Sequence, residues 1–163
     1  MSNIQNNNTN NVIDISINGI SRKRYRINGD DNKILELNPT DFNFTVRMDE
    51  AYPKLLECEK KVTELSNSIN PDDETDTLNN FAQTLDKINK EMCEQIDYVF
   101  DSNVSEICCD GGSMYDFIDG FMRYEIIFDN LVKLYENNIT AETKNIQKRI
   151  QQHTAKYTKK RKK

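Results

Sequence analysis

The chain has 163 residues, enough for one domain with a modest core, yet only 36% of them are apolar against 30% charged. No apolar run nears the roughly 20 residues of a membrane-spanning helix, and Met1–Asn11 has neither the basic start nor the apolar middle of a secretory leader. The expectation is a cytoplasmic protein with reduced thiols, because four cysteines without a C-x-x-C and the single histidine, His153, do not meet the ligand spacings of zinc sites.

Residues 1–11 form an Asn-rich arm that cannot bury enough apolar surface to offset the entropy of ordering, and disorder is expected there. A β region over 12–37 follows. Ile13, Ile15 and Ile17 alternate with Asp14 and Ser16 at the period of a half-buried strand, and Asn18-Gly19 supplies a turn. A second strand, Arg22–Ile27, then places Lys23, Tyr25 and Ile27 on one face and three arginines on the other. A bulge near Ile20 would pair Ile13 with Tyr25. After the turn Asn28–Asn32 a third short strand runs from Lys33 to Leu37.

Residues 42–48 fit two periods. Phe42, Phe44, Val46 and Met48 alternate as a strand would, and they also form the i, i+4 pairs of a helix capped by Thr40 or Asp41. Leu55, Cys58, Val62, Leu65 and Ile69 continue the helical spacing, so a helix is expected over about 41–66, kinked or divided at Pro53. A polar loop precedes a second amphipathic helix over 77–100, with its stripe at Leu78, Phe81, Leu85, Ile88, Met92, Ile96 and Val99. Cys108 and Cys109 are expected in a loop beside Gly111-Gly112. A third helix over 114–136, apolar round most of its circumference, is expected at the bundle centre, with Phe121 in the core, Asp116 on a polar stripe and Gly120 at a close helix contact. Asn137-Asn138 ends that helix, and a separate one over 139–163 carries a thin stripe of Ile146, Ile150, His153 and Tyr157. The fold class is therefore α+β, mostly α: two or three antiparallel strands, then about four helices.

The net charge of −5 conceals a polarity. From Thr140 to Lys163 there are nine Lys or Arg against one acid, +8, while the other 139 residues hold 13 basic and 26 acidic side chains, −13. The basic end, Lys159, Lys160, Arg161, Lys162 and Lys163, has three readings: a solvated end, a dock for an acidic protein surface, and a contact to nucleic-acid phosphates. No triad, phosphate loop or metal constellation stands out, and Asp30-Asp31 and Asp72-Asp73 read as turn acids, so no catalytic, metal or cofactor residue is assigned. The Arg22–Arg26 cluster reads as protection of an edge strand. A Cys108-Cys109 redox switch lacks an activating neighbour, since Asp110 raises a thiol pKa.

Taken in order, the segment Leu35-Glu36-Leu37-Asn38-Pro39-Thr40-Asp41, the helix through Tyr52 and Leu55, the helix ending Gln95–Phe100, the loop Cys109–Gly112 and Asp116–Phe121 resemble a known group. They are similar to small tail assembly chaperones of long-tailed bacteriophages that infect low-GC Gram-positive bacteria. The likeness covers about 13–137 and leaves out the arm and the basic tail. It implies a non-enzymatic protein that binds and shields the tape-measure protein in the host cytoplasm during tail assembly. Ile146, Ile150 and Tyr157 are the candidate partner-binding residues, and a homo-oligomer is a further expected partner. The alternative is a small nucleic-acid-associated or regulatory protein that uses the basic tail.

Overall fold

The computed structural model describes Ile13, residues 15–17 and residues 22–160, the side chains of 153, 154 and 156–160 excepted. Among the described residues an antiparallel pair, β1 (Lys23–Ile27) and β2 (Asp30–Leu37), precedes four helices: α1 (Asn43–Ser68), α2 (Thr75–Phe100), α3 (Val104–Cys108) and α4 (Arg123–Lys160). A two-residue-per-strand hairpin, β3 (Phe117–Ile118) and β4 (Phe121–Met122), lies between α3 and α4. The fold is α+β and mostly α.

The β region differs from expectation at its start. Tyr25 pairs with Leu35, and Ile13 and Ile15–Ile17 form no strand; their isoleucines are exposed, Ile13 at 84%. Asn28 and Gly29 both take positive φ, 52° and 74°, the two-residue turn whose twist matches antiparallel strands, and close β1 onto β2. The expected turn at Asn18-Gly19 and the bulge near Ile20 lie outside the described residues, as does the Asn-rich arm. Across the pair, Arg24 meets Glu36 at 3.5 Å, and Arg26 reaches Asp31 at 2.8 Å.

The 42–48 ambiguity resolves as helix. Asp41 accepts the Asn43 N–H at 3.0 Å, and the i, i+4 pairs divide by face: Phe44 is buried and Met48 half-buried, while Phe42 and Val46 are exposed. Pro53 sits inside an uninterrupted α1. Its missing donor falls on the exposed side, where water can serve the freed carbonyl. The carbonyls at the C-terminal end of α2 are unusually well used. Asp101, at φ 48°, and Ser102 donate their N–H groups to Tyr98 and Asp97, a left-handed cap of the Schellman kind. Arg47 from α1 bonds the Val99 carbonyl at 3.0 Å, and the Tyr135 hydroxyl from α4 bonds that of Phe100 at 3.3 Å.

The expected central helix at 114 and the break at 137–138 are both corrected. Asp119 and Gly120 take positive φ, 52° and 86°, and turn the chain between β3 and β4, so Gly120 is a hairpin residue with open space around it. Phe121 is 58% exposed and lies outside the core. Helix α4 begins only at Arg123, where Glu125 reaches back to the Met122 N–H at 2.7 Å, the acidic half of a capping box. From there it continues as one helix through Asn137-Asn138 to Lys160, because Asn138 turns its amide onto the Leu134 carbonyl at 2.7 Å and stays within the helical pattern.

The core gathers where α1, α2 and α4 meet the sheet. Phe100 stands among Phe44, Phe128 and Tyr135 at centroid distances of 5.9, 5.9 and 5.6 Å, with Leu35 and Leu37 of β2 in the same cluster. Arg47 also holds Asp41 at 2.9 Å in a largely buried pair, which ties the entry of α1 to the end of α2.

Candidate interaction surfaces

Helices α1 and α4 do not close on each other along their outer side. Between them runs a groove of about 400 Å³, floored by Tyr52, Leu56, Phe121 and Phe128. A second cavity of about 320 Å³, lined by Met48, Asp49, Tyr52 and Phe128, shares Tyr52 and Phe128 with it and prolongs it along α1. Tyr52 and Leu56 are each 44% exposed, and Phe117 and Ile118 of the β3–β4 hairpin add exposed apolar surface beside Phe121. The margin is acidic: Asp49, Glu59, Glu125 and Asp129 against the single cation Lys133. Glu59 is fixed there by the Tyr124 hydroxyl, which donates to it. Burial, followed by that carboxylate, drives the Tyr124 pKa far above its ordinary value, so the phenol stays protonated as a donor.

Helical spacing on α1 makes this groove. The inward stripe Leu55, Cys58, Val62 is buried, while Tyr52 and Leu56 form their own i, i+4 pair on the adjoining face. In the sequence the signal for that pair is two large apolar residues beside a complete core stripe. Phe121 reaches the groove through the Asp119-Gly120 hairpin turn, where the apolar spacing of the segment alone predicts helix.

The second surface is the far half of α4. Ile139 is its last described side chain packed against the core, and Glu142 lines the neighbouring cleft with Arg22, Asp101 and Tyr135. Beyond, Ile146 is half-buried, Ile150 is 57% exposed, and Lys144, Lys148 and Arg149 are exposed. The side chains of His153, Tyr157, Lys159 and Lys160, and the whole of Arg161, Lys162 and Lys163, lie outside the described residues. The expected partner-binding pair Ile146 and Ile150 thus sits about 30 Å along the helix from the groove, at 1.5 Å per residue.

The thiols are free but not equivalent. Cys108 ends α3, and burial pushes its thiol up to about 11, as it does that of Cys58 in the core. Cys93 on α2 instead meets Cys109, and chiefly the hydrogen bond from the Cys109 thiol lowers its pKa to about 7. The contact exists because Asp97 anchors α3 against α2, accepting the Ser105 N–H and hydroxyl at 2.7 Å each. Asp110, read as an influence on the thiols, is paired with Lys33. Asp116, expected on a helix surface, accepts the Ser113 N–H at 2.8 Å and faces Arg123 at 3.4 Å. Both pack over Gly112, where an added Cβ would lie 2.5 Å from the Asp116 carboxylate.

Among the described residues no three His, Cys, Asp or Glu side chains converge as a metal cluster would, and no helix is long and apolar enough to cross a membrane. Compared with known proteins, the chain matches no family model, no curated protein and no solved structure.

Proposed function

We propose that this protein is a non-enzymatic assembly chaperone that holds apolar helical segments of a larger partner. Following the resemblance to phage tail assembly chaperones, that partner is the tape-measure protein, covered in the host cytoplasm until tube subunits polymerise around it. The observation that carries the reading is the groove between α1 and α4, where Tyr52, Leu56 and Phe121 leave large apolar side chains in water at the surface of a small domain. A trough between two helices takes a third through apolar anchors at i, i+3 and i+4, which is how long, self-associating helices are kept apart.

Co-expression with the tape-measure protein encoded nearby tests this. The wild-type chain should raise the partner's soluble yield and co-purify with it. Leu56→Glu with Phe121→Glu should abolish co-purification and leave the melting temperature nearly unchanged, because both side chains are already half in water. Failure of the wild-type chain to retain the partner would end the chaperone reading.

A further inference from the structure

Helix α2 is joined to the chain that follows it at points one helical turn apart. Asp97 accepts the Ser105 N–H and hydroxyl at 2.7 Å each, and Asn89 accepts the Met114 N–H at 2.8 Å. Cys93 lies midway between Asn89 and Asp97 on the same face of α2, at i, i+4 spacing from each. Cys109 lies one turn beyond Ser105, whose carbonyl accepts the Cys109 N–H at 3.1 Å. The polar pairs on either side thus hold Cys93 against Cys109, and the two thiols meet in a hydrogen bond. Cys108, next in the chain, lines a separate cavity with Ile27, Asn28 and Leu131.

The two facing sulfurs differ in what they can do. Cys93 is half-buried, within reach of a small solute, and its lowered pKa keeps a share of it as thiolate at neutral pH. Cys109 is buried, and its hydrogen bond to Cys93, followed by that burial, holds it protonated.

We propose that Cys93 and Cys109 form a peroxide-responsive dithiol that closes to a disulfide and locks α3 and the base of the β3–β4 hairpin onto α2. The Cys93 thiolate attacks one oxygen of the peroxide, the O–O bond breaks, and the departing hydroxide takes up a proton to leave as water, with Cys93 now a sulfenic acid. The Cys109 sulfur then attacks the Cys93 sulfur. The S–O bond breaks, and the second hydroxide leaves as water with the Cys109 proton, so two thiols lose two electrons and the peroxide gains them. A dithiol reductant reverses the step by exchange, becoming a disulfide itself as both cysteines regain their protons. The linked residue lies just ahead of Gly112, whose N–H bonds the Cys109 carbonyl at 2.9 Å, and of Met114 on Asn89. The cross-link therefore fixes the strap from which the hairpin and Phe121 project, whatever the groove binds.

Oxidation of the isolated full-length protein by hydrogen peroxide tests this without any partner. The four free thiols should fall to two, peptide mass mapping should find residues 93 and 109 joined within one chain, and dithiothreitol should restore all four. Cys109→Ala, folded by circular dichroism, should instead hold Cys93 as a sulfenic acid that dimedone traps, while Cys93→Ser should keep its three remaining thiols and Cys108→Ser should still form the link. Amide exchange over 105–114 should slow at least tenfold in the oxidised wild type and not in peroxide-treated Cys109→Ala. A wild type that keeps four thiols, links any other pair, or joins two chains would overturn the pairing. Absence of a dimedone adduct on Cys93 in Cys109→Ala would overturn the order of attack, and unchanged exchange in the disulfide form would overturn the lock.

Discussion

Phe100→Ala probes the point where the fold is most concentrated. The ring is fully buried at the last residue of α2 and touches Phe44 of α1 and both Phe128 and Tyr135 of α4, so removing it separates three helices at once. Phe→Ala in a packed core costs about 3–5 kcal/mol in lost transfer energy and residual cavity. Three aromatic neighbours, each worth about 0.5–1.5 kcal/mol beyond area, place this site in the upper half of that range. The Tyr135 hydroxyl bonds the backbone carbonyl of residue 100, which alanine keeps, so the loss is one of packing. In urea, with a slope of about 2 kcal/mol per molar, the midpoint should fall by about 2 M at constant slope. Phe121→Asp is the control: at 58% exposure on the hairpin it should cost less than about 1 kcal/mol. If Phe121→Asp destabilises as much as Phe100→Ala, the core has been placed on the wrong side of α4.

Two further outcomes follow from the polar contacts. Arg47→Ala leaves Asp41 without its cation and the Val99 carbonyl without its donor, and should cost about 2 kcal/mol in the same titration; a loss below about 0.5 kcal/mol would show that water replaces both. Cys93, with its folded pKa lowered to about 7, should be alkylated by iodoacetamide with a midpoint near pH 7, well before Cys58 and Cys108. Its depressed pKa adds stability that is fully present above the unfolded thiol value near 9 and fades as pH falls to about 7, so wild type should lose ground to Cys93→Ser across that window.

The long helices were legible because their stripes repeat over several turns: α2 alone offers Ile88, Met92, Ile96 and Val99, all buried. The 114–122 segment misled for a definable reason. Phe117, Ile118, Phe121 and Met122 fall at spacings common to a helix and to a hairpin whose turn is two residues long. The deciding residues are Asp119 and Gly120, which accept positive φ as a two-residue turn, whereas within a helix Gly120 reads as a close packing contact. Asn137-Asn138 misled in the opposite direction, since propensity alone reads it as a stop while the helix carries on. The Tyr52 and Leu56 pair is visible in the pattern, but the width of the groove is not, because it depends on how far apart α1 and α4 stand, a distance set by the rings at Phe44, Tyr52, Phe128 and Tyr135.

The carbonyls at the end of α2 set an order of opening for that helix. Asp97, Tyr98, Val99 and Phe100 are bonded from the following turn, from α1 and from α4, while the first half, Thr75 to Lys87, has no buried side chain. The helix is thus anchored at one end only. Amide hydrogen exchange should run along it as a gradient, fastest near Leu78 and slowest near Val99, where release of a single N–H requires the global event. The paired ends of α1 and α2 remote from the sheet can then spread and reclose without disturbing the aromatic centre, giving the protein a soft tip on a fixed base.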